Sequence, residues 1–159
     1  MQPSLGYSEQ FSMMPMPALS EAPAIFIARS IARMFEQFGH ASLTEFSLAN
    51  GRRADLLALD RRGEIAIVEV KSSLADFRAD RKWPEYRDYC DALYFGIGPD
   101  FPREIIPEEC GLIVADRFGA LILRESGKTP LAASRRRAVT LQFALTAAQR
   151  LRQVIDPPL

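Results

Sequence analysis

A mixed α/β domain, ordered helix, three strands, helix, strand, hairpin, helix, is the fold class this sequence predicts. Three patterns predict it. Helical periods of apolar residues lie near both ends of the chain, short runs rich in Val, Ile, Leu and Phe lie between them, and turn residues divide those runs. At 159 residues, 48% hydrophobic and 25% charged, the chain fits one globular domain with a core of its own.

Residues 22–39, APAIFIARSIARMFEQFG, repeat Ile27, Ile31, Phe35 and Phe38 at helical spacing with Arg29, Arg33 and Gln37 elsewhere on the circle, and Gly39 supplies the stop. The runs SLTEFSL, ADLLALD and EIAIVEV, parted by ANGR and RRG, read as a three-stranded antiparallel meander. Ser73 followed by Asp76 resembles a capping box and opens a helical segment over 73–90, which Pro84 interrupts or restarts. ALYFGIG (92–98) reads as a buried strand, and GLIVADRFGALILRE as two strands joined at Arg117-Phe118-Gly119. Residues 135–155 close the chain as a long helix with Leu141, Leu145, Ala148, Leu151 and Ile155 on one stripe. Residues 1–20 read as a disordered or loosely docked tail, and 21–159 as the folded domain.

Twenty basic and twenty acidic residues cancel, so the whole chain has no strong field to draw nucleic acid. Their distribution is uneven: from Ser126 onward six basic residues face Asp156 alone, and an acidic body with a basic end is predicted. Cys90 and Cys110 make no disulfide framework and have no companions at metal-ligand spacing, which predicts a reducing cytoplasm. The first twenty residues hold no basic residue and no continuous apolar core, so no export signal is expected. No run approaches the roughly 18 apolar residues of a membrane span, and no membrane partner is expected.

Three charges interrupt the aliphatic runs at 52–73. Side chains alternate across a strand, so Glu69 and Lys71 share one face. A three-residue loop at Arg61-Arg62-Gly63, with Gly in the left-handed position, sets Asp60 opposite Glu64 and, counting inward, Asp55 opposite Glu69. Like charges so placed repel unless a cation neutralises them. Two carboxylates offer the hard oxygen donors that Mg²⁺ prefers, and Lys71 can orient a water or stabilise charge on a phosphate undergoing hydrolysis. Taken alone, E-x-K equally describes a solvated strand face with one ion pair.

The acid in the second strand, the E-x-K in the third and the element order resemble the PD-(D/E)XK nuclease superfamily, whose restriction-endonuclease-like core is written αβββαβ. Within it, NGRRADLLAL, EIAIVEVKSSLADFRADRKWPEYRDYCDALYFGI and GLIVAD resemble the MmcB family of bacterial DNA-repair proteins over about residues 22–125. The resemblance implies Asp55 and Glu69 as metal ligands for Mg²⁺, with Mn²⁺ as a substitute, Lys71 as the catalytic lysine, and the Val70 carbonyl as a further ligand. The superfamily's Pro before the first acid is Ala54 here.

Many such nucleases add an acid from the first helix or strand, which makes Glu36 and Glu45 candidates. Glu36 stands three residues after Arg33, where an ion pair is the competing role. Glu45 depends on the LANGRR turn: a two-residue loop sends it away from Asp55, and a loop one residue longer brings it round. Lys82 and Tyr86 are candidate DNA contacts, with Trp83 and Tyr89 read as core. Arg52 and Arg53 either bind phosphate or pair with acids, and Arg135, Arg136 and Arg137 are further candidate DNA contacts, a solvated face being the competing role. His40 reads as structural. The functional expectation is a Mg²⁺-dependent DNA nuclease in repair, working with DNA, with other repair proteins or as a homodimer. Its rival is a DNA-binding adaptor that keeps the fold and cuts nothing.

Overall fold

The structure, a computed structural model, describes residues 24–157, so the predicted tail at 1–20 lies outside the described residues. The elements are α1 (Ala24–Gln37), β1 (Ala41–Ser47), β2 (Arg53–Leu59), β3 (Ile65–Lys71), α2 (Leu74–Ala79), a 3₁₀ segment (Trp83–Tyr89), β4 (Ala92–Ile97), a short 3₁₀ turn (Arg103–Ile105), β5 (Gly111–Ala115), β6 (Ala120–Arg124) and α3 (Ala133–Ile155). The strands form one six-stranded sheet in chain order, β1 to β6. β1, β2 and β3 make the antiparallel meander, β3, β4 and β5 run parallel, and β6 turns back along β5.

Each face of the sheet carries a core. α1 covers one face, burying Ile27, Ile31, Met34 and Phe35 against Leu56, Val68, Val70 and Tyr94. Gly96 lets it approach, because a Cβ there would stand 2.5 Å from the Ile31 side chain. The predicted Phe38 is not part of this contact: it is 60% exposed, one turn beyond the buried stripe. The other face packs Ile65, Ile67, Leu93, Phe95 and Leu112 against Tyr86, Tyr89, Phe101, Val139 and Phe143. β3 is buried along its whole length, charged residues included.

Local chemistry sets the boundaries. Asp60 accepts the N–H groups of Arg62 and Glu64, and Gly63 at φ 82° closes the β2–β3 loop as expected. Ser73 caps α2 by accepting the Asp76 N–H at 3.1 Å, and the break before Pro84 falls where the sequence predicts it.

α3 departs from expectation. Its inward residues are Val139 and Phe143, whereas Leu141, Leu145, Leu151 and Ile155 are exposed. The helix is held largely by polar anchors. Gln142 donates to the Ser47 carbonyl, and Arg150 to those of Thr44 and Glu45, so α3 satisfies acceptors of the edge strand β1. Nearer its start, Arg136 grips the buried Asp91 in a bidentate pair at 2.7 and 2.6 Å. Asp91 also accepts the N–H groups of Ile65 and Leu131, joining β3, the start of β4 and the approach to α3.

Arg136→Met should therefore lower unfolding stability by about 2–4 kcal/mol, since it leaves a buried carboxylate without its cation. Urea denaturation checks this, and a loss below about 0.5 kcal/mol would show that the pair does not hold the domain together.

Candidate functional site

At the end of the sheet where β3 finishes, Asp55 and Glu69 come together as the hairpin register requires. The β2–β3 ladder runs from Leu59↔Ile65 to Leu56↔Val68, and the next step sets Asp55 against Glu69. There side chains take over from the ladder: the Val70 N–H donates to Asp55 Oδ2 at 2.7 Å, and the Asp55 N–H to Glu69 Oε1 at 3.4 Å. Lys71 lies on the same face, with Nζ 3.8 Å from Glu69 Oε2. Glu69 and Lys71 are each only 4% exposed.

Burial first, and Asp55 second, push the Glu69 carboxyl up to about 8, with Lys71 pulling the other way. Asp55 is also raised, chiefly by burial, although the Val70 N–H and Lys71 favour its charged form. Burial is the largest influence on Lys71 and opposes its charge, but the hydrogen bond with Asp80 and the charges of Asp80, Glu69 and Asp76 together outweigh it and leave its pKa above the ordinary lysine value.

Asp80 is the residue that sequence reasoning missed. It caps the C-terminus of α2 and accepts from Lys71 Nζ at 2.6 Å, nearer than Glu69 does. Although burial works against it, the Lys71 hydrogen bond and the Lys82 N–H hold Asp80 below the usual carboxylate range. The available signal was the capping box itself: a short helix opening just after Lys71 folds its far end back over that lysine.

The third acid is resolved differently for each candidate. A three-residue loop, Ala49 to Gly51, closes on the Leu48–Arg52 pair, and the flanking pairs Thr44↔Leu56 and Phe46↔Ala54 put Glu45 level with Asp55. Glu45 has φ 50°, a left-handed turn inside a strand, and its half-exposed carboxylate pairs with Arg53 at 2.6 Å. It raises the Asp55 pKa as a neighbouring charge. Glu36 is exposed on α1, across the sheet from Lys71, and the expected pair with Arg33 is absent, because Arg33 donates to Ser30 and to the Arg117 carbonyl. Among the described residues no three His, Cys, Asp or Glu side chains converge as a ligand cluster, and the acids that meet at this site are Asp55 and Glu69.

Those two fit a hard divalent cation. Each carboxylate has one oxygen hydrogen-bonded to a backbone N–H; the other oxygen of Asp55 accepts no hydrogen bond among the described residues, and that of Glu69 faces Lys71 Nζ at 3.8 Å, so two adjacent hard oxygen donors remain. The all-oxygen donor set suits Mg²⁺ or Mn²⁺.

The predicted DNA contacts divide. Tyr86 is buried, and its hydroxyl donates to the Arg53 carbonyl beside the acid pair, so it is a packing residue instead of a surface contact. Arg52 makes a bidentate pair with Glu85 at 2.8 and 2.9 Å, Arg53 pairs with Glu45, and Arg136 is committed to Asp91. Arg135 stacks on Tyr89 at 4.4 Å from the ring centre. Lys82 and Arg137 are exposed with no ion-pair partner among the described residues. Trp83 packs edge-on against Phe95 and Tyr89 is buried, as expected. His40 sits edge-on to Phe35, with its Nδ1 buried and unpartnered.

The family model described as DNA repair protein MmcB-like matches residues 16–158. The chain belongs to the MmcB-like family. A solved structure of a protein of unknown function from Silicibacter pomeroyi is 41% identical, with a TM-score of 0.83 over 85% of this chain and 92% of that one. No curated protein matches. Membership in the MmcB-like family gives the chain a role in DNA repair. Among the described residues no helix is long and apolar enough to cross a membrane.

The pH dependence follows from Glu69. Between the ordinary glutamate value of 4.5 and about 8, the folded protein keeps a proton that the unfolded chain releases. Metal-free stability is therefore greatest below that window and falls as pH rises through it, and Asp55 acts in the same direction. Thermal melts in chelator from about pH 5 to about pH 9 should show this fall, and Glu69→Gln should flatten it. An equal fall in the variant would assign it to other groups.

Proposed function

We propose that this MmcB-like protein is a metal-dependent deoxyribonuclease with a restriction-endonuclease-like core of the PD-(D/E)XK type, hydrolysing phosphodiester bonds during repair. The observation that carries the reading is the meeting of Asp55, Glu69 and Lys71 at one buried end of the sheet, on the strands where that superfamily keeps its motif.

Asp55 and Glu69 would hold Mg²⁺ or Mn²⁺ through their remaining oxygens. The Val70 carbonyl is available to help, since a strand residue's N–H and C=O leave on the same side and the Val70 N–H faces Asp55. Such an ion, when bound, polarises a phosphoryl oxygen and lowers the pKa of its water. The chain's own residues do the rest. Backbone N–H groups fix both carboxylates, so neither must reorganise on binding. Lys71 keeps its proton at neutral pH because Asp80 supports it, which lets the ammonium orient a water or offset charge growing on the phosphate. Asp80 is a positioning residue for that ammonium. A reducing cytoplasm belongs to the same proposal, consistent with the free, buried Cys90 and Cys110.

The adaptor reading has one observation in its favour. Lys71 is held nearer Asp80 than Glu69, an arrangement that also serves to neutralise a buried strand end. A panel of linear duplex, flap, fork and single-stranded DNAs with Mg²⁺ or Mn²⁺ separates the two. The wild type should cut at least one substrate, and Lys71→Met should cut it about 100-fold more slowly or less while still binding Mn²⁺. Failure of the wild type to cut any substrate would favour the adaptor, and equal cutting by the variant would remove Lys71 from the chemistry.

A further inference from the structure

We infer that the corner between α1 and the β5–β6 turn is a second DNA-contact surface, built for a single strand. Phe26, Arg29 and Arg33 from α1 and Arg117 and Phe118 from the turn line an open cleft of about 430 Å³. None of its three arginines pairs with a carboxylate among the described residues. That sets the corner apart from the basic residues around Asp55, where Arg52 and Arg53 are both neutralised by glutamates.

The corner is ordered before any ligand arrives. Ser30 donates to the Asp116 carbonyl, and Arg33 is braced by Ser30 Oγ and the Arg117 carbonyl. Asp116, at the start of the turn, accepts the N–H groups of Phe118 and Gly119 at Oδ1 and shapes the turn. Phe118 is 79% exposed with the Arg117 guanidinium 4.6 Å from its ring centre, and Phe26 is 40% exposed. Exposed aromatic rings beside guanidinium groups that no carboxylate neutralises are what a strand of unpaired bases requires: the cations meet phosphates and the rings accept stacked bases. A paired duplex hides its base faces and uses only the cations.

Topology links the corner to the acid pair. β3, β4 and β5 are parallel, so the turn after Ala115 lies at the same end of the sheet as Lys71. The corner is on the α1 face and the Glu69 and Lys71 side chains are on the other, so two to three strand spacings, about 10–15 Å, measure only the separation along the sheet. A single strand anchored at Phe118 reaches Asp55 and Glu69 by crossing the carboxyl ends of β4 and β3 from one face of the sheet to the other. This deepens the proposed function, on which it rests, by naming the substrate class: DNA with an unpaired segment, such as a flap or fork.

Fluorescence anisotropy in chelator, so that no strand is cut, tests the inference with labelled oligothymidylate and a blunt duplex. Phe118→Ala should weaken oligothymidylate binding about tenfold or more and leave duplex binding unchanged. Arg29→Ala with Arg117→Ala should weaken single-strand binding and reduce its log–log salt slope by about 1.4, or about 0.7 per lost phosphate contact. Wild-type binding that none of these substitutions alters would overturn the surface while leaving the acid-pair reading intact. No binding of either DNA by the wild type would overturn both. All three substituted side chains are exposed, so unchanged melting temperatures should accompany the variants, and matched melts confirm that affinity is being read.

Discussion

The domain is organised around two carboxylates held side by side in a place that gives them little water. A strand register that sets Asp55 against Glu69 brings like charges together where burial already disfavours ionisation, and both carboxyls respond with raised pKa values. Neighbouring features read as consequences of that placement. Regular β2–β3 pairing ends at Leu56 and Val68 because the next backbone N–H groups serve carboxylates. Lys71 is drawn in close to Glu69 and is itself stabilised by Asp80. Tyr86, whose hydroxyl is pushed far above its ordinary range by burial and by both acids, stays neutral and closes the site from the side.

The frame around this end of the sheet is set from the far end of the chain. Asp91 and Arg136 tie α3 to the starts of β3 and β4, and Arg150 then reaches the carbonyls of Thr44 and Glu45. Glu45 is the left-handed residue of β1, level with Asp55. Across that level the alternation of both strands slips: Leu43 and Phe46, like Ala54 and Leu57, are three apart yet share one core. The C-terminal arginines expected to hold DNA thus serve largely as structural braces, with Arg137 the exposed exception among them.

What the sequence disclosed was whatever short-range geometry determines. Loop length and Gly63 fix the β2–β3 register, so the meeting of Asp55 and Glu69 was legible, as were the meander, the broken helix at Pro84 and the hairpin at Arg117 to Gly119. What remained hidden depends on partners distant in sequence. Helical spacing alone could not tell the stripe of Leu141 and Leu145 from the one that packs, Val139 and Phe143, because the choice is made by anchors on β1. The pairing of Arg52 with Glu85 and the support of Lys71 by Asp80 likewise needed the helical segments folded back over the sheet. Membership in the MmcB-like family agrees with the resemblance that the motif strings carried.

The central claim is that the Asp55 and Glu69 pair awaits a divalent cation. Anomalous diffraction from crystals soaked in Mn²⁺ measures this most directly. The account predicts a peak within ligand distance of Asp55 and Glu69, at about 2.0–2.3 Å from their oxygens, in the wild type and not in Glu69→Gln. A well-occupied Mn²⁺ bound elsewhere, with those carboxylates unliganded at a pH above about 8 where Glu69 is ionised, would contradict it.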